Sequence, residues 1–205
     1  MAFLSAEEKQ KISAAIRNVE AGTQGELLCV ITSASNDYRY LPLFWSVLVT
    51  LLVPAVIWMS GVWWNAWEIY FAQIAVFLVV MTAFQWGPVK MRLIPKHAQI
   101  MHAARRAREQ FYAQGLHRTR ERTGVLLFVS VAEHFVEILA DEGIHTKVAP
   151  GTWDSIVAAF VDNVRQQRTA QGFLQAIEAC GTILQEHFPA RVDNPDELPN
   201  RLIEV

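Results

Sequence analysis

Charge is scarce in one long stretch of the chain: between Tyr40 and Val89 only Glu68 is ionised. A solvated surface segment cannot be built from such residues. The stretch divides at Gly61 to Trp67 into two apolar runs, Leu41 to Ser60 and Ile69 to Val89. Each has the ~20 residues that a helix needs to cross a ~30 Å hydrocarbon core. A buried hairpin in a soluble core is the competing reading, disfavoured by the run lengths and the missing charge. Lys and Arg are absent from the connecting turn, whereas Lys90, Arg92, Lys96, Arg105, Arg106 and Arg108 follow the second run. The positive-inside rule then places both termini in the cytoplasm. No apolar stretch precedes Tyr40, so no cleavable signal peptide is expected.

Cysteine is also scarce. Cys29 and Cys180 fit a reducing compartment as free thiols, or could form one disulfide. Neither begins a Cys-x5-Arg phosphatase loop, because Ser35 and Glu186 stand where the arginine is required. There is no Cys-x-x-Cys, Walker loop, Gly-x-Ser-x-Gly elbow or His-Glu-x-x-His. The usual phosphate cradles, nucleophile elbows and zinc sites therefore lack their spacing. An enzyme would need a dispersed site.

The hairpin is marked by its aromatics. Six of the seven tryptophans lie in it: Trp58, Trp63, Trp64 and Trp67 around the turn, Trp45 and Trp86 towards the opposite face. Amphipathic rings favour those levels. Pro54 falls inside the first run, which a membrane helix tolerates when a neighbouring group or water satisfies the freed carbonyl.

The remainder reads as an α/β domain interrupted by the hairpin. Ser5 and Glu8 form a capping box for an amphipathic helix over 5–21, with Ile12, Ile16 and Val19 on its apolar stripe. Glu26 to Thr32 and Gly124 to Ser130 read as buried strands, and Phe135 to Ala140 as a strand hairpinned to the second. In that third strand Phe135, Glu137 and Leu139 share one face, Val136, Ile138 and Ala140 the other. Helices are expected over 97–114, after Thr152, and from Thr169 to His187, where Pro189 prevents continuation. The tail is expected to be extended or mobile. Expected divisions are thus 1–39, the first part of the domain; 40–89, the hairpin; 90–190, the second part; and 191–205, the tail. Packed helices lie ~8–10 Å apart, about two strand spacings, so a strand before the hairpin can join strands after it.

The ordered set Gly124 to Ser130, Val136-Glu137-Ile138, Trp153 to Ile156, Gly172-Phe173, Ala176-Ile177 and Phe188-Pro189 resembles the TPM domain. The whole is similar to a bacterial two-span branch of uncharacterised membrane proteins. The resemblance implies a three-layer αβα sandwich and the bacterial inner membrane. It suggests LemA-type membrane proteins as partners. Some relatives bind calcium through carboxylates after the third strand, where this chain has Asp141-Glu142-Gly143-Ile144, with Pro150-Gly151 about where a later Asp is found.

Net charge of −2 hides an asymmetry: Lys90 to Arg122 has nine basic residues against Glu109 and Glu121. Lys90, Arg92, Lys96, Arg105, Arg106 and Arg108 are candidates for contact with anionic lipid, at ~1 kcal/mol each near a membrane surface; a solvated helix face carrying the topology signal is the favoured reading of the two. Nucleic acid is not an expected partner, since no aromatic set interleaves the arginines. Asp141, Glu142, His145 and Asp154 are the candidate ligands for a divalent cation, the one cofactor the residues suggest. Against this stands a plain solvated turn with a helix-start Asp. Two functions follow: a non-catalytic, membrane-anchored interaction or scaffolding module in the cell envelope, or a weak metal-assisted phosphatase using the acidic loop.

Overall fold

The structure is a computed structural model that describes residues 4–38, 40–84, 91–92, 94–191 and 197–205. It divides into two compact units, Met1–Ser35 with His102–Val205, and Asn36–Met101. The first is the α/β part. Helix α1, Ala6–Glu20, begins as the capping box requires: Ser5 Oγ accepts from Glu8 N at 3.2 Å, and Glu8 Oε2 accepts from Ser5 N at 2.7 Å.

Strands β1, Glu26–Thr32, and β2, Gly124–Ser130, are buried along their whole length. They pair in parallel, Glu26 opposite Gly124 through Thr32 opposite Ser130. Parallel neighbours need a crossover, and strands covered on both faces read as continuous apolar runs, as these do. β3, Phe135–Ala140, returns antiparallel to β2, with Leu127 opposite Ile138. Leu202–Glu204 adds a fourth strand, β4, parallel to β1, giving the order β3-β2-β1-β4. The expectation for the tail held no strand; three residues lack the length for a sequence signal, and β4 exists because β1 offers an open edge.

Alternation along the strands separates two cores. Leu27, Cys29, Ile31, Val125, Leu127 and Val129 pack with α1, α6 (Thr152–Arg165) and α7 (Thr169–His187). On the opposite face Leu28, Val30, Leu126 and Phe128 meet Ala107 and Phe111 of helix α4, Lys96–Ala113, and Leu116 of the short helix Leu116–Arg118. β3 splits as read from the sequence: Val136, Ile138 and Ala140 join the first core, Phe135 and Leu139 the second. The acidic turn is a short helix, α5, Glu142–His145.

In the second unit, α2 (Tyr40–Met59) and α3 (Ala66–Phe84) are long and apolar enough to cross a membrane, by length and composition. Only Pro42 and Ser46 of α2 are buried, and no residue of α3. Pro54 supplies no N–H to the carbonyl four residues earlier, that of Thr50. Gln73 Nε2 of α3 donates to this carbonyl at 3.5 Å. Glu68 caps the start of α3, its Oε2 accepting from Asn65 N at 2.7 Å.

Candidate functional site

Asp141 ends β3 where its N–H meets Gly124 O at 2.9 Å, at the start of β2. The side chain is buried and serves structure. Its Oδ1 accepts from Glu142 N at 2.8 Å as the N-cap of α5, and its Oδ2 lies 2.8 Å from Arg122 Nε. Gly143 lets this turn press against the preceding loop: a Cβ there would stand 2.6 Å from Arg122 O and closer still to Glu121 O. Glu142 points into solvent, 83% exposed, with Oε2 3.9 Å from Arg122. His145 and Asp154 are exposed too. Asp154 lies in the first turn of α6, where a negative charge suits the helix dipole. Among the described residues no three His, Cys, Asp or Glu side chains are gathered as a cation would need.

Glu137 belongs to the Phe135 and Leu139 face, half-buried, with no hydrogen-bond partner for Oε2 among the described residues. Burial raises its carboxyl above the ordinary range, and the Arg108 charge opposes this in part. Cys29 and Cys180 are free and fully buried in the first core. Burial pushes both thiols up, Cys180 to about 12, so neither supplies a thiolate nucleophile.

Of the basic set, Lys90 lies outside the described residues, as does Trp86. Arg92, Lys96, Arg105 and Arg108 are exposed. Arg105 and Arg106 both hold Glu109, at 3.0 and 3.4 Å. The hydrogen bond from Arg105 is the main cause of that carboxyl's lowered pKa.

The opposite end of the sheet carries polar organisation that sequence reasoning missed. Glu133 Oε1 accepts from Ser35 N at 3.0 Å and its Oε2 from Ser130 Oγ, while Ser35 Oγ donates to Ser130 Oγ at 2.8 Å. Val131 N donates to Thr32 O at 3.0 Å, so the loop after β1 is sewn to the turn after β2. The partners are 95 and 98 residues apart, and no local pattern could have joined them. Beside this network, between the ends of β1 and β2 and helix α6, lies a cavity of about 480 Å³.

A comparison with solved structures finds the BA42 protein, whose NMR structure is from the psychrophilic bacterium Bizionia argentinensis sp. nov., at a TM-score of 0.64 and 23% identity, covering 100% of this chain and 97% of that one. This likeness is one of fold. A comparison with curated proteins finds no match. Residues 91–183, from before α4 to near the end of α7, match the TPM domain family (TPM_phosphatase). The chain therefore carries a TPM domain.

Proposed function

We propose that the chain is a membrane-anchored TPM-domain protein that acts as a non-catalytic interaction or scaffolding module in a bacterial cell envelope. A three-layer αβα domain forms the working part, and the α2–α3 hairpin spans the inner membrane with the domain and termini in the cytoplasm. One observation carries the anchoring: α2 and α3 expose apolar side chains along their length, including Leu51 at 71% and Val79 at 67%. Such surface is stable against lipid and unfavourable in water. The basic residues after the second run and none in the turn support the sidedness. The partner is another membrane or envelope protein, LemA-type proteins being the first to examine. Asp141 favours the non-catalytic reading, because its Oδ1 caps α5 and its Oδ2 faces the Arg122 guanidinium at 2.8 Å, both structural contacts.

Sidedness is tested with an impermeant maleimide, since the native thiols are buried and give little background. Asn65→Cys should label in intact cells and Gln171→Cys only in inside-out vesicles; the reverse pattern overturns the orientation. Extraction of the protein by alkaline carbonate overturns the anchoring. For activity, copurification in mild detergent should yield one stoichiometric partner. Metal-dependent phosphatase turnover that disappears in Glu142→Gln, a variant of an exposed side chain, would establish the phosphatase instead.

A further inference from the structure

We propose that the cavity at the carboxyl ends of β1 and β2 binds a single long-chain acyl group that carries an anionic head. Its volume of about 480 Å³ falls within the ~300–1,000 Å³ range of small-molecule sites. The walls come from both layers: Ile31 and Val129 from the sheet, Val136 from β3, Phe160 and Val164 from α6. Phe160 is held by Phe173, edge to face, with ring centroids 5.0 Å apart, so that wall is rigid. An empty apolar space forfeits the dispersion contacts of its lining, and methylene groups restore them without any hydrogen-bonding demand.

Charge selects the head. Among the described residues no carboxylate lines the cavity; Arg165 contributes a cation, with His134, Thr169 and Ser130 as polar wall groups. The Arg165 guanidinium lies 3.4 Å from Asp162, but both side chains are mostly exposed, at 75% and 66%. Such a pair exchanges readily with a carboxylate or phosphate held nearby. A neutral or cationic amphiphile gains nothing there. The chain also leaves the sheet at Thr32 and reaches the first apolar helix at Tyr40, so the site stands close in sequence to a segment suited to lipid.

The head could belong to a free fatty acid or to an anionic phospholipid, which share this chemistry. The full chain in lipid nanodiscs is irradiated with palmitate bearing a terminal diazirine and, separately, with phosphatidylglycerol bearing the same group on one acyl chain. The adducts are then mapped by mass spectrometry. Adducts on β3 and α6 are expected, reduced at least tenfold by Val164→Trp and several-fold by Arg165→Glu, with those on α2 and α3 unchanged. Labelling of α6 by palmitate assigns the free acid, and by phosphatidylglycerol alone the lipid. Val136→Phe is a second filling variant, and only variants that retain the native melting temperature are scored. Adducts confined to α2 and α3 with both probes, or α6 adducts indifferent to every well-folded filling variant, overturn the proposal. Neither result bears on the orientation of the hairpin.

Discussion

Asp141 in the acidic turn and Glu137 in β3 do opposite things to stability. Removing the Asp141 side chain deletes an N-cap and strands a half-exposed Arg122, so Asp141→Ala should lower unfolding stability by ~1–2 kcal/mol. Asp141→Asn keeps an acceptor for Glu142 N and should lose less; urea melts of the two variants check the order. Glu137 acts in the other direction. Its carboxyl is raised in the folded state by burial, so the native protein binds more protons than the unfolded chain above the ordinary carboxylate value of ~4.3. Stability therefore falls as pH rises through the folded pKa, and below the ordinary value the effect vanishes. Glu137→Gln should raise the melting temperature at neutral pH, with the difference closing towards pH ~4. A gain that grows in acid would contradict this assignment. The strand alternation placed Glu137 on its face from the sequence, but the lack of a partner for Oε2 depends on neighbours far along the chain.

Elements meet at close contacts that no periodicity announces. The α1–α7 contact is set by Gly181, where a Cβ would stand 2.6 Å from both γ-carbons of Val19. Alanine at that position gains ~1 kcal/mol of helix propensity and meets an overpacking cost of ~1–3 kcal/mol. Gly181→Ala should thus destabilise by up to ~2 kcal/mol, and Gly181→Ala with Val19→Ala should recover part of it in the same denaturation assay. In the hairpin, Pro54 and Gln73 form a pair: the proline leaves the Thr50 carbonyl without its helical donor, and the glutamine of the facing helix supplies one. Gln73→Leu should weaken the hairpin by ~0.6 kcal/mol, at most ~1.7 kcal/mol, measured by titrating SDS into detergent micelles and following tryptophan fluorescence. The need for a donor was legible at Pro54; which side chain answered it was not.

At the scale of the molecule, the C-terminal residues complete the sheet. β4 covers Cys29 to Ile31 of β1, Glu197 N donates to Glu26 Oε1 at 3.2 Å, and Lys9 Nζ lies 2.8 Å from Glu204 Oε2. Deleting 197–205 should expose that edge, lower the melting temperature and make the protein self-associate, which light scattering would detect. An unchanged monomer with native stability would show that the edge needs no cover. The sequence by itself determined β1 to β3, the long helices, the two apolar runs and the partition of β3 between two cores. Those features rest on local period and composition, which helices and strands read directly. Only the tertiary structure decided that Asp141 is tied to Arg122, that Ser35, Ser130 and Glu133 meet, that β4 joins β1 and that a cavity opens beside α6. Pairing β1 with β2 across the interrupted chain brings Ser35 to Ser130 and Glu133 and opens the cavity, the return of β3 along β2 brings Asp141 to Arg122, and β4 adds to the free edge of β1; hydrogen bonds between distant segments leave no repeat for a sequence to display.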